Sequence, residues 1–377
     1  MMKKVIALVL AMVLGLSLFT GCTDSSDNNT DNQTATGIDY TAAFEQYDPN
    51  TVVMTINGET VTWSEFYYMM SYAASQLQYY LGEMEWDEEC MEGTGITFGE
   101  YCMTLTMDSL KQFHAISAKS ADMGLVLTAE DMETIAAQEE AFKLQVCGAD
   151  ATEEQFLNYL MEELFLTEDV YQYINENAVM YEKLFVETVG ENGAKLTDEE
   201  ISTFVAEHPY ITAKHILIKT IDANYQSLPE EELKAAKSKA EKILRQLQGI
   251  KDPDQLEKKF DELMNEFSED EGLVLFTDGY TFTTGEMMEE FETTAFNLPV
   301  YGLSELVETE VGYHIILRIP TERNSLVDYD YETGSVYTIV YYAATNIFSK
   351  LMTAWMDECE VVWASDFEGI TAEQIFG

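Results

Sequence analysis

An α+β architecture, with a small sheet domain set between segments of a largely helical one, is expected from three features of the chain. Helical patterns, most opened by a threonine and acidic residues, fill residues 63 to 207. Two strand-like runs, "ITAKHILIK" and "GYHIILRIP", bracket residues 210 to 320, and an amphipathic helical stretch returns after residue 325. About 335 residues follow the polar N-terminal region, which is more than one core usually serves.

The first residues, "MMKKVIALVLAMVLGLSLFTGC", place Lys3 and Lys4 before an apolar run from Val5 to Phe19. That is the pattern of a secretory signal, too short for an ordinary membrane span. Its end, "LFTGC", resembles a bacterial lipobox with Cys22 as the lipidated residue, although Phe19 stands where leucine is usual. A lipid chain there would hold the protein to a membrane through buried methylenes, at about 0.8 kcal/mol each. Residues 23–45 are mostly polar and read as a flexible tether.

The formal charge is −49, and a surface this acidic repels phosphate backbones. Nucleic-acid binding is therefore excluded. Apart from Cys22 the cysteines are Cys90, Cys102, Cys147 and Cys359, with no CxxC and no His/Cys cluster at metal spacing. No metal or cofactor site is expected, and whether Cys90 pairs with Cys102 is left open.

Each element follows from local chemistry. Alternation in Val52 to Ile56, the Asn57-Gly58 turn and the return "TVTW" make a hairpin with a type I′ signal. Thr62 and Glu65 then form a capping box for a helix from Trp63 to about Leu81. Further helices are expected from Phe98 to Met123, at "LTAEDMETI", at "ATEEQFLNYLMEELF", from Glu168 to Val189 and at "LTDEEISTFVAEHP". Tyr67, Tyr68, Met69, Met70, Tyr72, Tyr79, Tyr80, Met84 and Trp86 read as core, or else as an adaptable apolar cradle for unfolded segments. His114 and His208 read as structural or surface residues.

At Tyr210 the period changes from helical to two. In the first strand His215 shares a face with Ile211, Ala213 and Leu217; in the last, His314 shares one with Ile316 and Arg318, opposite a core face of Tyr313, Ile315, Leu317 and Ile319. A titratable ring on such a face is costly to bury unless its nitrogens find partners. Between the strands, Ser227 is the expected cap of a helix running to Gly249, and a second helix follows Pro253. "LVLF" and "YTF" are strand-like around an Asp278-Gly279 turn, and "GEMMEEFETTAF" is a short helix. The order is β-α-α-β-α-β.

The elements "AKHILIK", "FSED", "GEMMEEF" and "GYHIILR", in that order within one domain, resemble the parvulin-type peptidyl-prolyl isomerases. With the leader, the N-terminal hairpin and helices and the C-terminal return, the chain also resembles the PrsA-like foldase lipoproteins and, more distantly, SurA. The resemblance implies an isomerase of X-Pro bonds in unfolded secreted proteins, lipid-anchored on the extracytoplasmic face of the cell membrane, with homodimer formation left open. It implies a catalytic set of His215, Asp270, His314 and Thr309, and a proline-gripping pair, Met287 and Phe291, one turn apart on a helix. It also divides the chain into a lipoprotein signal at 1–22, the tether at 23–45, a helical chaperone domain at 46–209, an isomerase domain at 210–320 and a C-terminal segment at 321–377 that packs back on the helical domain. The usual Gly-Asp-Leu-Gly stretch is replaced by "EGLVLFTDGYTF", and Val311 stands where some relatives carry serine. That departure motivates an alternative, a holdase whose isomerase domain is vestigial.

Overall fold

The computed structural model describes residues 38–82, 85–91, 93–331 and 333–377; the signal, Cys22, most of the tether and Met84 lie outside these. The described chain divides into two compact units, one of residues up to Thr188 together with Phe348–Gly377, the other Val189–Ile347. These limits are not those expected at 210 and 320. In the second unit the Arg323 guanidinium donates to the Gly193 and Leu196 carbonyls, tying residues after the sheet to residues before it.

In the first unit the hairpin β1 (Val52–Ile56) and β2 (Glu59–Thr62) is joined by β9 (Val361–Trp363), antiparallel to β1 with Met54 opposite Trp363. Asn57 and Gly58 both have positive φ, 54° and 84°, as a type I′ turn requires. The helices span Trp63–Leu81, Phe98–Asp122, Ala129–Cys147, Glu153–Glu163 and Glu168–Val189. Thr97, Thr128 and Thr152 each make the full capping box, worth about 1 kcal/mol per cap. At Thr62 the expected box is only half made. The hydroxyl accepts from the Glu65 N–H, but the Glu65 carboxylate turns away to His114, 3.1 Å from its Nε2. Trp63, Phe66, Tyr67, Met69 and Met70 are core, whereas Tyr79 and Tyr80 are exposed. All four cysteines among the described residues are free thiols.

The second unit carries a four-stranded antiparallel sheet, β4-β3-β6-β5, formed by β3 (Ile211–Lys219), β4 (Tyr280–Phe282), β5 (Val307–Thr309) and β6 (Gly312–Ile319). Both faces are covered, not one. Ile216, Ile218, Ile315, Leu317 and Ile319 pack against the two helices Glu230–Leu247 and Pro253–Phe267. Ile211, Ala213, Phe282 and Ile316 pack against Phe291 and Ala295 of a third helix, Glu289–Asn297. The histidine-bearing face is therefore the second of two cores.

Four local expectations are corrected. Ser227 does not cap the next helix, because it bridges to Ile221, and the helix starts at Glu230 with Pro229 as an N-cap that offers no side-chain bond. "LVLF" is not a strand: Asp270 accepts the Gly272 N–H and starts a short 3₁₀ turn, Glu271–Val274. Met287 precedes the third helix instead of lying on it, since the Glu292 carboxylate gathers the N–H groups of Gly285, Glu286 and Met287 into a loop. The stretch after residue 325 is a hairpin, β7 (Leu326–Tyr329) with β8 (Val336–Thr338), before the helix Ile339–Asp357 begins.

Candidate active site

Strand register brings the two histidines together. In the antiparallel β3·β6 pair Leu217 lies opposite His314 and Ile316 opposite His215, so the two imidazoles are diagonal neighbours on one face. Their Nδ1 atoms are 3.3 Å apart. His314 is 1% exposed and His215 9%.

Asp270 reaches them through the segment after the Pro253–Phe267 helix. The Ser268 hydroxyl accepts the Leu217 N–H and the Glu269 N–H donates to the Leu217 carbonyl, clamping the chain alongside β3. One residue further on, Asp270 Oδ2 lies 2.9 Å from His215 Nε2. Tyr280 Oη donates to the same oxygen at 2.7 Å, and the Gly272 N–H donates to Oδ1. Burial pushes the Asp270 carboxyl up, but the bonds from His215 and Tyr280 outweigh it and hold it down at about 2. At neutral pH it is an acceptor only.

At the other end, Thr309 ends β5 one tight turn before Gly312, and its hydroxyl lies 2.8 Å from His314 Nε2. A Cβ on Gly312 would collide with the Ile218 carbonyl, so glycine is required for this close approach. Burial, reinforced by the neighbouring His215, pushes His314 down to about 3, so it is neutral at pH 7. Ionised Asp270 accepts from His215 Nε2–H. The Nδ1–Nδ1 contact continues the chain to His314, whose Nε2 meets the Thr309 hydroxyl; that hydroxyl also lies in donor geometry to the Gly312 carbonyl at 3.3 Å. The four polar residues expected from the sequence thus stand in one hydrogen-bonded chain.

Phe291 stands edge-on to both imidazoles, with ring centroids 5.2 Å from His215 and 5.4 Å from His314, and is 3% exposed. Met287 is half-buried against the same cluster. Tyr280 was not among the expected residues. Its signal lay in the "YTF" alternation: Ala213 pairs with Tyr280 and Ile211 with Phe282, which puts Tyr280 on the histidine face once β4 is placed beside β3. Among the described residues no group of three or more His, Cys, Asp or Glu side chains could hold a metal ion.

Residues 215–319 match the rotamase family, described as PPIC-type PPIASE domain. The chain is also 31% identical over 123 residues to a peptidyl-prolyl cis-trans isomerase of Saccharomyces cerevisiae, covering 72% of that protein. This chain belongs to the parvulin family. Beyond the parvulin unit it is similar to Foldase protein PrsA of Halalkalibacterium halodurans, 30% identical over 213 residues, 56% of either chain. It is 26% identical to Foldase protein PrsA of Caldanaerobacter subterraneus over 70% of this chain and 72% of that one. The chain thus spans little more than half the length of the first of these relatives.

Proposed function

We propose that the parvulin unit catalyses cis/trans isomerisation of X-Pro bonds in unfolded secreted proteins, with Cys22 as lipid anchor on the extracytoplasmic face of the membrane and the helical unit holding the client. The observation that carries this reading is the unbroken chain from Thr309 through His314 and His215 to Asp270, set against the aromatic edge of Phe291. Exposed Tyr79 and Tyr80, at 75% and 63%, support a client-holding role for the helical unit. Among the described residues no helix is long and apolar enough to cross a membrane.

The reaction breaks no bond. Amide resonance opposes rotation with a barrier of about 18 to 20 kcal/mol, and uncatalysed exchange takes roughly tens to hundreds of seconds. Only interactions stronger in the twisted form lower that barrier. Met287 and Phe291 would hold the proline ring and exclude water, which otherwise favours the planar, more polar amide. His215 and His314 supply fixed dipoles beside the rotating carbonyl and nitrogen, with Asp270 as their electrostatic anchor. No nucleophile is needed.

A second reading, a holdase with a vestigial isomerase unit, draws on the burial of Phe291, which a prolyl ring reaches only if its surroundings yield. The two separate on a client whose slow refolding phase is set by a proline. At catalytic amounts the full chain should accelerate that phase, and His215→Ala should remove the acceleration. Suppressed aggregation with an unchanged refolding rate would establish the holdase reading instead.

A further inference from the structure

We propose that Tyr280 is a positioning residue of this site: its hydroxyl, admitted by the side-chain-free Cα of Gly272, fixes the Asp270 carboxylate against His215 and so sets which imidazole nitrogens carry protons. The kinetic part of this proposal rests on the isomerase reading; the protonation part does not.

Two independent features of the structure carry it. The first is shared occupancy of one oxygen, because Tyr280 Oη at 2.7 Å and His215 Nε2 at 2.9 Å both bind Asp270 Oδ2. A carboxylate oxygen with two donors is confined in position, and its charge is divided between them. The second is the space that makes this possible. A Cβ built on Gly272 would overlap the Tyr280 hydroxyl, and Gly272 has no positive φ that would otherwise call for glycine. The same glycine donates its N–H to Asp270 Oδ1, so three separate segments, β3, β4 and the 3₁₀ turn, converge on one carboxyl group.

The Tyr280 ring is itself held. Phe276 stacks on it with centroids 4.5 Å apart and planes 17° from parallel, and the backbone pairs with Ala213 one alternation from His215. His215 faces the Tyr280 ring at 5.4 Å. The charged groups around the array are Lys219, bound to Glu271, and Glu269, bound to Lys239. His314 completes the array from β6.

The consequence follows from sharing. Without the tyrosine hydroxyl the Asp270 charge falls wholly on His215 Nε2–H and favours the imidazolium over the neutral ring. In that imidazolium His215 Nδ1–H donates, His314 Nδ1 accepts, and the His314 proton sits at Nε2 facing the Thr309 hydroxyl, which donates to the Gly312 carbonyl as it is already placed to do. Tyr280 thus biases the chain toward one polarity.

The test uses the full chain with 15N-labelled imidazoles. In the wild type His215 should carry a proton at Nε2, where ionised Asp270 accepts it. Tyr280→Phe keeps the ring and deletes the hydroxyl; it should raise the pH at which His215 takes its second proton by about half a unit or more, move the acid limb of kcat/KM with it, and leave KM nearly unchanged. Gly272→Ala should shift the His215 titration in the same direction with Tyr280 intact, by evicting the hydroxyl. Should Gly272→Ala fail to fold, Tyr280→Phe decides alone. An unmoved His215 titration in Tyr280→Phe overturns the proposal, whether or not the chain is active. A moved titration in a chain without prolyl activity upholds the positioning and removes the isomerase reading.

Discussion

Two histidines, one in each unit, sit within a hydrogen bond of a carboxylate. His114 Nε2 is 3.1 Å from Glu65 and His215 Nε2 is 2.9 Å from Asp270. Chemically the pairs are alike, yet their surroundings differ. The first ties the helix Trp63–Leu81 to the helix Phe98–Asp122, both members buried, with the Tyr173 ring against the imidazole at 5.8 Å. The second continues, through a second imidazole to Thr309 and through the carboxylate to Tyr280, and its edge is aromatic. A buried histidine with a carboxylate fastens two helices; extended into a hydrogen-bonded chain on a sheet face, it is the array to which the isomerase account assigns the chemistry.

That contrast breaks first at its structural end. Removing one partner of a buried hydrogen-bonded pair leaves the other's polar atoms unsatisfied, so His114→Ala should lower unfolding stability by up to about 3 kcal/mol, read by denaturant titration of the full chain. The prolyl isomerase activity of the folded fraction should stay unchanged. On the other side, His314→Ala should cut kcat/KM about 100-fold, roughly 2.7 kcal/mol at the transition state, with the unfolding of the helical unit unaffected.

Acid sharpens the comparison further. His314, neutral when folded and held at about 3, binds fewer protons than it would in the unfolded chain, whose ordinary value is 6.5. Between these limits the unfolded state takes up more protons, so stability falls as pH drops, with a slope of up to about 1.4 kcal/mol per pH unit. Asp270, held at about 2 against 3.8, adds to the loss only below that upper value, as pH falls through about 2. His314→Gln should flatten the acid dependence between pH 6.5 and 3. An unfolding curve of unchanged slope in that variant would contradict the burial argument.

The smallest effect is expected on the far face of the sheet. Lys214 is buried there between Glu257 and Asp261, at 2.9 and 2.8 Å. Lys214→Met replaces a buried cation by an apolar chain of similar volume, with both carboxylates still reaching water, so stability should change by no more than about 1 kcal/mol. The activity should be that of the wild type, because the substitution lies on the opposite side of β3 from His215.

How much of this could be read in advance varied with the range of the interaction. The two strands and their alternation were legible because period-two patterning is local, and His215, His314, Asp270 and Thr309 were identified together by their motifs. Tyr280 was missed because its role depends on which strand lies beside it. Ser227 looked like a helix cap but is engaged in a bridge to Ile221, and "LVLF" looked like a strand until Asp270 closed a turn at its start. The first is a capping propensity lost to a bridge made upstream, the second a strand propensity lost to a two-residue side-chain turn. The second core behind the histidines was hidden because the helix that covers them belongs to a different segment.

The most direct test of the isomerase account is exchange spectroscopy on a short X-Pro peptide with a substoichiometric amount of the full chain, which needs no coupling protease. Cross-peaks between cis and trans forms should appear at mixing times where the free peptide shows none, and should vanish with His314→Ala. Absence of exchange with the folded wild-type chain, or exchange that survives in His314→Ala, would contradict it.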